Sequence, residues 1–176
     1  TISLPENLEY VRELADEWGL NVAIISRTDF RPRENFEYFL MYKKSFPSRR
    51  LRWCTRYLKL EPLRWWASRE GIYCFMLGIR LSERSMRREW WQGKEVSFDP
   101  LQGYFRSNPI MNWSKKDVLF FMRKHNIPDN PCYRIYGRTG CFYCPFVANK
   151  RYYLILAKRH PNLASRIVSW EALFSK

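Results

Sequence analysis

Cys141 and Cys144 form a Cys-Phe-Tyr-Cys turn set between Gly140 and Pro145. The two-residue gap holds both thiolates within reach of one metal ion or cluster. Cys132 stands a short way upstream in Asn130-Pro131-Cys132-Tyr133, and Cys54 stands far upstream in Arg52-Trp53-Cys54-Thr55. Three neighbouring thiols and one distant thiol describe a four-ligand site that staples two parts of a fold. The remaining cysteine, Cys74, lies in an apolar run and reads as a small buried hydrophobe. Five Cys is an odd count, and neither a secretory leader nor an apolar run of about eighteen residues is legible. The chain therefore reads as cytoplasmic and free of membrane, with reduced thiols, so that paired Cys means metal or redox chemistry rather than structural disulfides.

Charge narrows the partner. Lys plus Arg number 31 against 17 for Asp plus Glu, a formal net charge of +14 in 176 residues. Such a surplus favours anionic partners, from nucleotides to nucleic acid. Arg49, Arg50, Arg52, Arg56 and Lys59 share a stretch without an acid, and Arg80, Arg84, Arg87 and Arg88 form a second group. Guanidinium forks match phosphate and sulfate oxygens; the competing reading of each group is a solvated face. Hydrophobic residues make up 46 %, enough for a folded core, and argue against wholesale disorder. Most of the eight Trp read as core filling. Trp90-Trp91, inside a charged segment, is the pair placed to stack on a base.

The elements that must position these groups are those of an α/β chain. Ser3-Leu4-Pro5-Glu6 reads as a capping box, with Ser3 at the N-cap and Glu6 reaching back. Leu8, Val11, Leu14, Ala15 and Trp18 continue at helical spacing, and Gly19 fits the stop. Val22-Ala23-Ile24-Ile25 is an apolar run of the kind that forms a strand buried on both faces of a parallel sheet. Helices are expected over 36–46 and 55–70, a second buried strand over 73–79, and a charged loop over 80–94. Ligands of open α/β sheets sit beyond such strand ends. Ser114 to Asp117 caps a helix that runs to about Asn126, 129–146 reads as a turn-rich loop, and two helices over 149–159 and 162–174 close the chain. His125 and His160, the two His, fit helix ends better than catalysis.

Several segments, in order, resemble the phosphoadenosine phosphosulfate (PAPS) reductase family of the adenine-nucleotide alpha-hydrolase superfamily. Arg52 to Leu63 resembles its cysteine, Leu-Lys and Pro-Leu segment. Gly78-Ile79-Arg80-Leu81-Ser82-Glu83 with Arg87 resembles its arginine loop. Pro109-Ile110, Trp113-Ser114, Asp117-Val118, Ile127-Pro128, Asn130 to Tyr133 and Arg138 to Pro145 follow its C-terminal pattern. The resemblance implies a partial Rossmann-like parallel sheet over 1–107 and a helical C-terminal region over 108–176 with a Cys-rich loop, in one compact domain. It also implies an oxidoreductase or transferase acting on an adenylated or sulfur-bearing nucleotide.

On that resemblance, Lys59, Arg80 and Arg87 hold the anionic nucleotide and Glu83 orients an arginine or the ribose. Cys54, Cys132, Cys141 and Cys144 are the candidate ligands of a [4Fe–4S] cluster; tetrahedral zinc would satisfy the same thiolates. The chain departs from the pattern at Arg84 and at Cys132. It carries no Cys after Cys144, which counts against thioredoxin-dependent PAPS reduction. The family's S-G-G-x-D-S phosphate loop belongs before Thr1, so either the chain is a fragment, a second chain supplies the loop, or catalysis is lost. Two other readings stand beside this one: a sulfurtransferase acting on DNA or tRNA, similar to the DNA phosphorothioation enzyme, and a non-catalytic basic binding module.

Overall fold

A computed structural model describes residues 2–82, 94–100, 103–147 and 149–174. The fold is mixed α/β, with many helices and a small sheet. Its described elements are α1 (Pro5–Trp18), α2 (Phe36–Lys43), α3 (Trp53–Thr55), α4 (Glu61–Arg69), β1 (Cys74–Met76), β2 (Val96–Asp99), β3 (Tyr104–Ser107), α5 (Lys115–Lys124), α6 (Pro131–Tyr136), α7 (Lys150–Arg159) and α8 (Pro161–Ala172). No helix among the described residues is long and apolar enough to cross a membrane.

The chain gathers into two units, one of Thr1–Leu63 with Asp129–Lys176 and the other of Arg64–Pro128. The division expected at residue 107 falls elsewhere, because the C-terminal helices pack on the first third of the chain. The first unit holds the main core. Leu4, Leu40, Cys132 and Leu156 are fully buried among Phe36, Phe39, Trp53, Phe142, Ile167 and Trp170. Phe36 is the ring at the centre, with its centroid 5.3 Å from that of Trp53 and 4.8 Å from that of Trp170. Aromatic pairs at tilted angles in this range add to the area they bury.

α1 starts differently from expectation. Leu4 is the N-cap, no side chain caps it, and Glu6 turns instead to residues of α6, α7 and the junction after α7. Gly19 ends α1 in the left-handed region (φ 61°), as expected, and its N–H closes on Asp16 O. α3 and α4 are joined by a π turn, Arg56–Leu60, in which the Glu61 N–H reaches back to Arg56 O. Single π turns recur at functional sites because they set side chains off the α-helical phase.

The second unit is built on a three-stranded sheet of order β1-β3-β2. β1 runs parallel to β3, with Cys74 opposite Phe105; β2 runs antiparallel, with Phe98 opposite Phe105. Phe75 and Tyr104 meet edge to face at 4.6 Å, and Arg106 pairs with Asp99 at 2.8 Å. Cys74 is exposed, which corrects its reading as a buried hydrophobe. It shares its face of β1 with Met76, and both lie away from Phe75.

Val22–Ile25 does not form the expected strand. Among the described residues no backbone hydrogen bond reaches 21–25, and Val22 and Ile24 are 43 % and 46 % exposed. A strand is held by its neighbours' N–H and C=O groups, so an apolar run without such a neighbour stays extended and unpaired.

Candidate functional site

Cys54, Cys141 and Cys144 line one cavity of about 70 Å³ in the first unit, together with Lys59 and Arg52. Phe36, Leu58, Pro47 and Phe146 supply apolar wall. Two chain segments supply its thiols and its lysine. The first is α3 with the π turn, which presents Cys54 from α3 and Leu58 and Lys59 from the next turn. The second is the Cys-x-x-Cys loop.

That loop is fastened at several points. Gly140 takes φ +110°, a conformation open to glycine, and its carbonyl accepts the Leu4 N–H at 2.9 Å. A Cβ at position 140 would stand 3.3 Å from the Arg138 guanidinium. Ser3 and Cys141 form an antiparallel bridge, and the Phe142 N–H donates to Ile2 O at 2.8 Å. The Tyr152 hydroxyl donates to the carbonyls of Phe142 (3.0 Å) and Cys141 (3.3 Å). The segment ahead of α1 and Tyr152 of α7 thus hold the loop by its backbone, while Cys141 and Cys144 line the cavity.

The thiols sense one another. Burial pushes Cys54 up, and the charges of Cys141 and Cys144 push it further, against hydrogen bonding from Thr55. Burial likewise raises Cys141; Lys59 opposes the rise and Cys144 adds to it. Burial, then Tyr153 and Glu171, pushes Tyr143 up to about 12. Desolvated thiols close enough to disfavour each other's ionisation are the setting in which a bound cation has most effect, because coordination removes the proton outright.

Cys132 does not line this cavity. It is fully buried in the first turn of α6, where its N–H donates to the Asn130 side chain at 3.0 Å. Burial and then the nearby Glu6 carboxylate push its thiol up. Arg80 follows β1 in the second unit, and Glu83, Arg87 and Trp90-Trp91 lie outside the described residues. Of the expected nucleotide-holding set, Lys59 is placed at the thiols, within the first unit. Among the described residues no group of three or more Cys, His, Asp or Glu side chains is gathered closely enough to hold a metal ion.

Sequence reasoning passed over Arg52 as a cavity residue. Its guanidinium lies 5.1 Å from the Phe146 ring centroid at the rim, beside Arg49 at 5.9 Å. The signal was present: Arg52 sits two residues before Cys54 in a stretch without acids.

The described fold is mixed α/β with a cysteine loop docked on a basic helical turn, and comparison with known proteins gives the family. The phosphoadenosine phosphosulfate reductase domain matches residues 1–147, and the chain belongs to that family. An uncharacterized protein of Methanocaldococcus jannaschii is 22 % identical over 173 residues, which cover 95 % of this chain and 38 % of that protein. Adenosine 5′-phosphosulfate reductase of Allochromatium vinosum is 34 % identical over 101 residues, 57 % of this chain and 37 % of that enzyme. The crystal structure of PAPS reductase from Candida auris, a phosphate complex, superimposes with a TM-score of 0.59 at 18 % identity, over 80 % of this chain and 64 % of that one. The chain thus spans about two fifths of the length of these curated relatives.

Proposed function

We propose that this chain supplies the thiol-bearing half of a site that processes an adenylated, sulfur-bearing nucleotide, with a metal–sulfur centre held by its cysteines. The observation that carries this is the convergence of Cys54, Cys141 and Cys144 with Lys59 on one cavity, in a chain of the PAPS reductase family. The relatives named adenosine 5′-phosphosulfate reductase point to the substrate class. Lys59 supplies a cation for sulfate or phosphate beside the thiols; Arg80, in the second unit, is a nucleotide contact on the family resemblance alone.

The donor set bears on the centre. The three cavity-lining thiols are soft donors and fit iron–sulfur chemistry. They are not drawn together as a single tetrahedral ion requires, with every sulfur about 2.3 Å from the metal. Iron–sulfur and zinc both remain open to these thiolates, and either centre requires the thiols to draw closer than they stand here. When bound, an iron–sulfur centre would supply electron-transfer capacity and a soft, sulfur-rich surface for chemistry at the substrate's sulfur. The protein's own residues position the nucleotide's anionic end and shield the site with Phe36 and Phe146.

Two measurements test the reading. Protein isolated anaerobically should contain iron and acid-labile sulfide, and Cys141→Ser should lose most of both while keeping its fold. Protein with neither iron nor zinc would remove the metal centre. With the phosphate-loop part present, calorimetric titration with adenosine 5′-phosphosulfate should show Arg80→Ala weakening binding about tenfold, as expected for one charge-assisted hydrogen bond. Unchanged affinity would remove Arg80 as a nucleotide contact. Retention on DNA or tRNA at moderate salt, without sulfonucleotide binding, would favour the nucleic-acid reading that the +14 charge also allows.

A further inference from the structure

We propose that the cavity enclosed by α7, α8 and the cysteine loop is a second ligand site, one that takes a small organic ammonium ion, a protonated amine carried on an apolar body. The site lies wholly in the first unit and does not rest on the metal–sulfur reading above.

The two closing helices make the room. α7 turns Tyr153, Leu156 and Ala157 to the cavity, and α8 turns Ala164, Ile167, Val168 and Glu171. Spacings of three and four place each set on one helical face. Ala157 and Ala164 stand where longer side chains would fill the gap. Tyr143, Cys144 and Pro145 close a further side, and the same three line the thiol cavity, so the loop is a wall common to both. Neither Lys59 nor Arg52 lines this second space, which separates it from the anion-favouring one. Its volume is about 400 Å³, within the ~300–1,000 Å³ of small-molecule sites.

The walls select the ligand's charge. In a chain of net charge +14, no Lys or Arg is among the described residues that line this cavity. Their one formal charge is the Glu171 carboxylate, which continues the otherwise apolar face of Ala164, Ile167 and Val168. Glu171 stands in the last turn of α8, where the helix dipole presents its negative end and that turn carries no basic residue. The carboxylate is felt across the cavity: burial pushes the Tyr153 phenol up, and the charges of Cys144 and Glu171 push it further, against that of Arg138. A phenol ring attracts a cation over its face, and Tyr143 and Tyr153 both line the space. An anion would meet a carboxylate and the negative end of a helix. Leu156, Ile167 and Val168 receive the apolar body; Val168 is 65 % exposed, so a ligand seated there takes apolar surface out of water.

The test titrates the intact chain at neutral pH with three probes of similar shape, 2-phenylethylamine, 2-phenylethanol and 3-phenylpropanoate, followed by ligand-observed nuclear magnetic resonance. The amine should bind saturably, the alcohol about tenfold more weakly and the propanoate not at all. Glu171→Gln should bring the amine down to the alcohol's affinity and leave the alcohol where it was. Ala164→Trp should fill the gap and abolish binding of both. Glu171 is exposed, so Glu171→Gln keeps the fold whatever becomes of the Ala164 variant. Equal affinities for amine and alcohol, or an amine affinity that Glu171→Gln leaves unchanged, would overturn the ammonium assignment. No saturable binding of the amine would overturn the site. The metal–sulfur reading stands or falls apart from these outcomes: an iron-free chain that binds the amine would sink that reading alone, and an iron-loaded chain that ignores the amine would sink this inference alone.

Discussion

Arg27→Ala should cost about 3 kcal/mol of stability, more than removal of any exposed arginine in the chain. The Arg27 side chain is 10 % exposed and bridges two carboxylates, Glu34 and Glu61, with its Nε donating to Glu34 at 2.9 Å. Its guanidinium also lies over the rings of Phe30 (4.9 Å) and Phe39 (5.5 Å). Deleting it leaves Glu34 half-buried without its cation and Glu61 with the exposed Arg56 alone, which is the costly way to break a pair; that residual partner and the acids' partial exposure keep the figure at the lower end of the usual ~3–5 kcal/mol. Urea unfolding at pH 7 measures it. Adding Glu34→Gln and Glu61→Gln to Arg27→Ala should recover part of the loss, because the uncompensated charge goes with them. A cost below about 1 kcal/mol would show that solvent screens the bridge as it does at an open surface.

The bridge has a bearing on the site. Glu61 directly follows the π turn that carries Lys59, and Arg27 follows the unpaired 21–25 segment. Arg27 therefore ties the end of that segment to the helix presenting Lys59. Arg27→Ala is expected to loosen Lys59 as well as the fold, whereas Arg56→Ala, whose side chain is 72 % exposed, should do neither.

Where the sequence could be read, the signals were local. Ser114 and Asp117 form the capping box their spacing implies. Asn149 caps α7, Gly19 closes α1, and the two last helices lie within a residue or two of expectation. These features depend on chain neighbours alone. The Cys-x-x-Cys loop was legible for the same reason, and Cys54 through the family resemblance.

What failed depended on partners distant in sequence. Val22–Ile25 has the composition of a buried strand, but composition cannot supply the adjacent backbone. Glu6 has capping-box spacing, yet Tyr136 and His160 offer it more than the α1 terminus does. Cys132 is near Cys141 in sequence, but the Asn130-Pro131 pair starts a helix there and turns the thiol into the core. That pair is a helix-start signature, with a capping side chain followed by Pro at the first helical position, and it was legible. The β2–β3 hairpin was missed in the sequence although its signal was there: Val96-Ser97-Phe98-Asp99 alternates, and Gly103 (φ 76°) follows.

Glu6→Gln should lower stability by about 2 kcal/mol at pH 7, with the difference shrinking as the solution is acidified. Glu6 Oε1 accepts from the Tyr136 hydroxyl at 2.8 Å, His160 Nε2 at 2.9 Å and Arg159 Nε at 3.2 Å, and the side chain is 12 % exposed. Burial pushes the carboxyl up, but hydrogen bonds from its own backbone, His160 and Tyr136, with the His160 charge, outweigh that and leave it below its ordinary value of 4.5. A carboxyl depressed on folding stabilises the fold above its unfolded value. That contribution is lost as pH falls below 4.5 through the folded value, where the native state must take up the proton. The unmodified protein should therefore show a steep acid limb below pH 4.5 that Glu6→Gln flattens. Tyr136 and His160 approach from α6 and the α7–α8 junction, so the same titration should loosen the packing of α1 on α6. Cys132 lies in that packing and Cys54 does not. Below pH 4.5, Cys132 should accordingly gain reactivity toward a thiol reagent active in acid, such as a dipyridyl disulfide, while Cys54 changes little. Equal acid limbs for the two proteins would show that Glu6 is held by geometry alone and contributes no proton linkage.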